Sequence, residues 1–378
     1  MLEPVVQFFS RIFEAIGRGL GRFVALLLWP FVGLSRWYTK RGWMLRGILG
    51  ALVASLFAFY LHFTWQTQAW TNFNPDYVNA YQLDDEAAKA EAAAAASAKA
   101  TTQPVVCKRS EIVAVTADLV DFNVNQNAWI TSKLAYKSGL FGLAWDTTPF
   151  LDNKASFQRG VHQAIKRTAV ELYDTLGRAR GTSAADPDLE RARGSLQYRD
   201  DVWYISLGGG WFPRPIATTP SSFRDGLAAL RKFNDRLSKC QATFDARADN
   251  LTTFMDRIAK DIGSTTAQLK ERAESSNYGW FDTRADNLYW QSYGELYAYL
   301  GILKAANVDF AATINSRQLT KIWNDMEDQV GSALKIQPFI VSNGSEDGWI
   351  MPTHLTTMGF YILRVRANMT EIRDTLQQ

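Results

Sequence analysis

The clearest hydrophobic pattern is a run of nineteen residues, 47–65, that contains no Asp, Glu, Lys or Arg. A helix needs about 20 mostly apolar residues to cross the hydrocarbon core of a bilayer, so this run is just long enough. Trp43 precedes the run, and Trp65 and Trp70 lie at or beyond its end, where tryptophans suit the headgroup level. The pattern therefore predicts one transmembrane helix over residues 47–65, with a buried core helix as the alternative.

A second apolar pattern precedes this run. Apolar residues recur at helical spacing at Phe9, Ile12, Phe13 and Ile16, and residues 23–34 form an uninterrupted apolar stretch of twelve. Twelve residues are too few to span comfortably, whereas basic residues beside a Trp- and Phe-rich face are typical of a helix in the headgroup plane. We interpret residues 1–46 as a basic, amphipathic segment at the cytoplasmic face, with a two-pass hairpin as the alternative.

Charge predicts the orientation of the chain. Residues 1–46 carry seven Lys or Arg and two Glu, while the remainder is slightly acidic. Short basic segments stay on the cytoplasmic side, so residues 66–378 are expected outside, which in a bacterial inner membrane is the periplasm. A cleaved signal peptide fits poorly, because the apolar run is long and begins near residue 47. Anionic lipid is the nearest counter-charge, and nothing indicates a nucleic-acid partner.

Beyond the membrane the pattern is mainly helical. Residues 66–82 are aromatic and turn-like, and residues 83–104 are Ala-rich, which favours a helical spacer or, alternatively, a low-complexity linker. Residues 105–378 are predicted to be one helical periplasmic domain. Apolar residues at steps of three and four predict helices over 155–177, 288–303, 310–334 and 355–376.

The longest regular pattern runs from Phe223 to Ile262 and predicts a continuous helix of about 60 Å. Such a helix needs partners, either later helices or another copy of the chain, to bury its apolar seam. Only residues 202–205 and 338–341 suggest strands, too weakly for a sheet. The predicted fold class is mainly α: a membrane-associated N-terminal helix, one transmembrane helix, and a large all-α periplasmic domain with a long helix.

Cys107 and Cys240 are the only cysteines, and both fall on the side predicted to be oxidising. A disulfide between them would be stable there. Two separate buried thiols are the alternative, because sequence spacing says nothing about distance.

An octapeptide occurs twice: residues 244–251 (FDARADNL) recur 37 positions later as residues 281–288 (FDTRADNL). If both octapeptides are helical, the two Asp of each copy share one face. Paired carboxylates could hold a metal ion or a basic ligand, or act as general acid and base. The alternative, which we favour, is a structural ion network in which each Arg pairs with Asp of the opposite copy. The candidate binding residues are Asp245, Arg247, Asp249, Asp282, Arg284 and Asp286.

Other signals for chemistry are weak. The three histidines have no metal-site spacing, and the chain lacks a nucleophile elbow, a phosphate-binding loop and a dinucleotide fingerprint. We therefore predict no catalytic residue, no metal and no cofactor. The many tryptophans of the outer part could bind glycan beside Asp, but large core residues are the simpler interpretation.

Several segments together resemble a known family. They are FQRG (157–160), GRARG (177–181), DPDL (186–189), the FDxRADNL octapeptide, GWFD (279–282) and GFYILR (359–364). The resemblance covers most of residues 40–376 and is to an uncharacterised proteobacterial membrane-protein family, classed only as a domain of unknown function. It implies a bacterial envelope protein and supplies no activity, ligand or catalytic residue.

The functional hypothesis is a membrane-anchored periplasmic protein that acts without catalysis, self-associating or docking on a membrane complex. The alternative is a periplasmic protein that binds or hydrolyses envelope glycan through the paired Asp residues.

Overall fold

The computed structural model describes residues 3–97, 107–178, 185–206, 214–276, 279–280, 282–345 and 351–378. Within these ranges the chain is mainly α-helical, which confirms the predicted fold class. The only strands there are the two-residue β1 (Ile205–Ser206) and β2 (Arg214–Pro215), paired antiparallel. The chain forms two compact units, Met1–His62 and Phe63–Gln378.

The first unit contains α1 (Glu3–Thr39) and most of α2 (Trp43–Gln68). α1 is a single helix of 37 residues with Pro30 inside it, longer than the amphipathic pattern alone predicted. The turn after α1 is fixed by the Tyr38 hydroxyl, which donates to the Arg46 carbonyl oxygen at 2.8 Å. In the described part of the chain, α2 is the one helix long and apolar enough to cross a membrane.

The second unit holds the other helices. They are α3 (Leu83–Ser97), α4 (Glu111–Asp121), α5 (Leu134–Ser138), α6 (Asn153–Glu171), α7 (Pro187–Leu196), α8 (Thr219–Leu237), α9 (Ala248–Ser275), α10 (Ala285–Asp309), α11 (Ala311–Ser316), α12 (Thr320–Leu334) and α13 (His354–Gln377). The predicted helices over 155–177, 288–303, 310–334 and 355–376 correspond to α6, α10, α11 with α12, and α13. No strand forms at residues 338–341.

α10 is the centre of the second unit and packs against α3, α4, α6 and α12. It crosses α6 with the two backbones in contact. A Cβ atom at Gly160 of α6 would lie 1.9 Å from the Gln291 carbonyl oxygen, and one at Gly294 of α10 would lie 2.1 Å from the Phe157 carbonyl oxygen. The two glycines therefore set how closely these helices approach.

The Ala-rich segment was expected to form a spacer, but the described part of it packs onto the second unit. α3 lies against α10 and α11, and Leu83 at its start is buried. Trp70, expected at the headgroup level, packs its ring 5.1 Å from that of Phe157 and 5.3 Å from that of Trp290. The compact unit thus begins at Phe63, well before residue 105.

The prediction of one continuous helix over residues 223–262 is wrong, because α8 ends at Leu237 and α9 begins at Ala248. Between them Cys240 has a left-handed backbone with φ of +56°. The apolar steps continue through this turn because Phe244 still packs into the core, with its ring 6.0 Å from that of Phe310. Apolar residues therefore keep helical spacing between α8 and α9, although the chain there is not helical.

Candidate functional site

The two FDxRADNL copies are the starts of two helices. In each copy the first Asp and the Arg precede the helix, and the second Asp lies in its first turn: Asp249 in α9 and Asp286 in α10. The expectation that both Asp of a copy share a helical face is therefore wrong. A carboxylate in the first turn stabilises a helix through the partial positive charge of its N-terminus, so the repeat is a helix-start motif. Phe281 lies outside the described residues.

The first copy forms its ion pairs within itself. Arg247 Nε lies 2.7 Å from Asp245 Oδ2, and Arg247 Nη2 lies 3.5 Å from Asp249 Oδ2. The Asp245 backbone N–H donates to the carbonyl oxygen of Leu176 at 2.8 Å, which ties the motif to the π-helical turn Leu172–Leu176 that follows α6. The Asp249 side chain is 63% exposed. Arg247 thus pairs with its own copy, and the predicted pairing with the opposite copy is not found among the described contacts.

In the second copy, the Asp282 side chain is fully buried, and its side-chain donors come from elsewhere in the chain. Arg272, near the end of α9, donates through Nε to Asp282 Oδ2 at 3.0 Å. Asn343 Nδ2 donates to the same oxygen at 2.9 Å, and the Arg284 backbone N–H donates to Oδ1 at 3.3 Å. Burial alone raises the pKa of Asp282, but the Arg272 and Asn343 hydrogen bonds and the Arg272 charge together lower it. This carboxylate is ionised and surrounded by donors.

Asp286 lies beside a carboxyl group that the sequence did not single out, Asp152 at the N-terminus of α6. Asp286 is 4% exposed and Asp152 is completely buried. Burial raises the pKa of Asp152 to about 8, and the nearby Asp286 charge adds to the effect. Burial likewise raises the pKa of Asp286 to about 7, with a smaller contribution from Asp282. The pKa values of both carboxyl groups are therefore raised to near neutral pH.

The hydrogen bonds around these carboxyls are incomplete. With the Asn153 amide oriented to satisfy both of its ends, Nδ2 donates to Asp286 Oδ2 at 3.1 Å and Oδ1 accepts from Trp290 Nε1 at 3.2 Å. Asp286 Oδ1 and Asp152 Oδ2 have no hydrogen-bond partner among the described residues. An unpartnered buried oxygen favours the protonated form, which agrees with the raised pKa values.

A third buried acidic group lies where α6, α9 and α10 meet. Glu295 is 1% exposed, and its Oε2 accepts from Thr265 Oγ1 at 2.5 Å. Burial, followed by the charge of Asp261, raises the pKa of Glu295 to about 8. Asp261 Oδ2 accepts from the Tyr299 hydroxyl at 2.6 Å. The sequence signal for Glu295 is that it is the single carboxylate inside the apolar pattern of residues 288–303, and it belongs to neither copy of the repeat.

Several clefts of the described surface lie away from the candidate residues. Five of them, with volumes of 390–720 Å³, are not lined by Asp245, Arg247, Asp249, Asp282, Arg284 or Asp286. Within the same residues, no three His, Cys, Asp or Glu side chains group in a way that would hold a metal ion. The arrangement suits the anchoring of helix ends better than the binding of a ligand.

Cys107 and Cys240 form a disulfide, with their Cα atoms 5.3 Å apart. It joins the segment before α4 to the turn between α8 and α9, which leads to the first FDxRADNL copy. Of the two alternatives that the sequence left open, the structure has the bridged form.

Comparison with known proteins identifies the family of the chain. A family model described as an uncharacterised protein conserved in bacteria, DUF2333, matches residues 43–280 and 267–378. Together the two matches cover the chain from the start of α2 to its last residue. No curated protein and no solved structure matches the chain.

Proposed function

The chain belongs to the bacterial DUF2333 family, and on this premise we propose that it is a membrane-anchored, non-catalytic component of the bacterial envelope. Its helical unit would self-associate or dock on a membrane complex, with the N-terminus in the cytoplasm and the second unit in the periplasm.

Three features support the anchoring and its direction. α2 is long and apolar enough to cross a bilayer, and the segment before it is basic. Short basic segments stay in the cytoplasm, so the residues after α2 belong on the opposite side. The Cys107–Cys240 disulfide follows α2, and disulfides persist in the periplasm but are rare in the cytosol.

The observation that carries the non-catalytic proposal is the engagement of the first Asp of each copy, Asp245 and Asp282. Asp282 is saturated by donors from Arg272, Asn343 and the Arg284 backbone, and Asp245 pairs with Arg247. A general acid, a general base or a ligand-binding carboxylate needs a free oxygen that faces an open cleft. These side chains instead connect the starts of α9 and α10 to the rest of the unit.

An apolar surface on α13 supports docking. Phe360 and Leu363 lie one turn apart, and their side chains are 54% and 51% exposed. Neighbouring apolar side chains that are exposed on one chain often mark a surface that binds another protein. A second copy or a partner protein of the same membrane is the proposed cover.

Mass measurement in mild detergent, together with crosslinking in native membranes, tests this proposal. We expect a species heavier than the 42.5 kDa chain or a co-purifying membrane protein. The double substitution Phe360→Ser and Leu363→Ser should weaken that association, whereas Tyr204→Ser, which changes a side chain 65% exposed elsewhere, should not. A strictly monomeric protein without a partner would overturn the proposal.

Pull-down with isolated envelope glycan tests the alternative function. We expect the wild-type protein and the Asp286→Asn variant to bind the isolated glycan to the same extent. Binding by the wild type that is lost in a correctly folded Asp286→Asn variant would favour glycan binding instead.

A further inference from the structure

The last turns of α2, from Phe63 onward, belong to the second unit and pack on one side against a loop of that unit. Phe63 is 2% exposed, and its ring lies 5.0 Å from the ring of Trp145. Gln68 Nε2 donates to the Phe150 carbonyl oxygen at 2.9 Å. The loop of residues 139–151 is therefore fixed against the point where α2 ends.

Lys154 fixes the same junction from the start of α6. Its ammonium donates to the carbonyl oxygens of Gln66 at 3.1 Å and Ala69 at 2.5 Å. A cation at a helix C-terminus satisfies the last carbonyl groups and interacts favourably with the helix dipole. Lys154 is 3% exposed, so this contact is an interior part of the second unit.

The length of the apolar run sets the depth of this junction. Residues 47–65 form about 28 Å of helix, and the hydrocarbon core is about 30 Å thick. The whole run is needed to cross, so Phe63 lies at the far boundary of the hydrocarbon. Trp145 packs on Phe63 and must lie at about the same depth. The loop that carries Trp145 thus starts at the membrane surface.

Exposed apolar side chains cluster on this loop and on a second loop beside it. We call them the apolar rim. They are Phe141 (77% exposed), Leu143 (67%), Phe150 (38%), Phe339 (88%) and Ile340 (38%).

The two loops of the rim are adjacent. The rings of Phe150 and Phe339 lie 5.9 Å apart, which joins the second loop to the first. Leu140 and Leu143 pair through two backbone hydrogen bonds, so Phe141 and Gly142 form the tip of a hairpin, both with positive φ. Residues 139–150 contain one ionisable side chain, Asp146, and residues 336–345 contain none.

We propose that the apolar rim enters the headgroup region of the periplasmic leaflet, in the same bilayer that α2 crosses. The occupant of this surface is lipid, because the rim is joined to the residues that leave the hydrocarbon. Phe and Leu on a polar, folded body bind at the boundary between headgroups and acyl chains, within about 5–10 Å of it. The second unit then rests directly on the membrane, and the Ala-rich helix α3 does not hold it away. This inference rests on the anchoring part of the proposed function.

Depth measurement by electron paramagnetic resonance tests the proposal on the full chain with its disulfide intact. Single cysteines replace Leu143, Phe339 or, as the control, Asp249 in the first turn of α9, whose side chain is 63% exposed, and each carries a nitroxide. The labelled proteins are reconstituted into phosphatidylethanolamine–phosphatidylglycerol vesicles. Collision rates with oxygen, which concentrates in lipid, and with a water-soluble nickel chelate are then compared. We expect the oxygen-to-nickel ratio at positions 143 and 339 to exceed that at 249 several-fold.

The outcomes separate the alternatives. Equal ratios at all three positions overturn the proposal. Low rates with both reagents at 143 and 339 also overturn it and indicate protein cover, either a second copy or a partner. Carbonate extraction of the same vesicles tests the anchoring itself. Protein released by carbonate contradicts the proposed function, whereas retained protein with water-accessible labels contradicts the rim alone.

Discussion

The two FDxRADNL copies share a sequence and a local structure but not a chemical environment. Both begin a helix, with Ala248 and Ala285 as the first helical residues. In the first copy the second Asp, Asp249, is 63% exposed, whereas its counterpart Asp286 is 4% exposed beside Asp152. The same eight-residue pattern thus gives a solvated ion pair in one place and a buried carboxyl with a raised pKa in the other.

The difference teaches that the local sequence determines where the helix starts, whereas burial by the rest of the fold determines the pKa of the second Asp. The first copy is approached through a turn closed by the Cys107–Cys240 bridge, and the second copy is joined to α9 through Arg272. One connection is covalent and the other is a buried ion pair. Substitutions at each copy can separate these effects.

Loss of the disulfide should have the largest effect, at the approach to the first copy. The bridge joins residues 133 positions apart, and a loop of that size restricts the unfolded chain strongly. We expect Cys240→Ser to lower the free energy of unfolding by about 4 kcal/mol, measured by urea denaturation in detergent. Reduced wild-type protein should behave like the variant, and a loss below about 1 kcal/mol would contradict the expectation.

Replacing the first Asp should lower the free energy of unfolding more in the second copy than in the first. Asp282→Ala leaves the Arg272 guanidinium and Asn343 without their partner, which should cost about 3 kcal/mol of the free energy of unfolding. Asp245→Ala breaks a more exposed pair and should cost less than about 1 kcal/mol. The same denaturation assay compares them, and equal losses would show that burial does not distinguish the copies.

The second Asp should differ in its effect on pH dependence. The pKa of folded Asp286 is about 7 against the ordinary 3.8, so between these values the folded state binds more protons than the unfolded state. Stability contributed by the protonated group is complete below about pH 4 and is lost as the pH rises towards 7.

We expect Asp286→Asn to remove about 2 kcal/mol of this pH-dependent loss of stability. Asp249→Asn, which changes a carboxylate that is 63% exposed, is the matched control. Urea denaturation at several pH values measures both. Asp152 has a raised pKa as well and remains in both variants, so some pH dependence should persist. If the free energy of unfolding of Asp286→Asn changed with pH as much as that of the wild type, the burial of the Asp286 carboxyl group would be contradicted.

The arginines should give the smallest effects. Arg247→Ala removes exposed ion pairs and should reduce stability slightly, with the loss diminishing as salt is added. Arg284→Ala should cause no measurable change, because Arg284 contributes its backbone N–H to Asp282 and the side chain is exposed. A larger loss for Arg284→Ala than for Arg247→Ala would reverse the comparison.

The sequence predicted the helices well where one apolar stripe continues to the end of an element. α13 and the membrane helix α2 were located within a few residues, because their apolar patterns end where the helices end. The break between α8 and α9 could not be predicted. Phe244 keeps the helical spacing while it enters the core from a turn, and the left-handed Cys240 is visible only in the backbone.

The sequence predicted the motif of the candidate site but not the burial and the hydrogen-bond partners of its carboxylates. The repeat identified Asp282 and Asp286, yet the partners of Asp282 come from Arg272 and from Asn343, which lies 61 residues farther along. Asp152 had no signal, because it lies outside both copies of the repeat, directly before α6. Such partnerships depend on which helices cross, and a single sequence contains no measure of that.

The contact between Lys154 and the end of α2 has a mechanical consequence. Lys154 is the second residue of α6, and six residues later Gly160 places α6 in backbone contact with α10. If the last turn of α2 rotates about its axis, it must either break the bonds from Lys154 to Gln66 and Ala69 or turn α6 with it. Since α6 cannot turn without displacing α10, torque applied to the end of α2 is delivered to the centre of the helical unit.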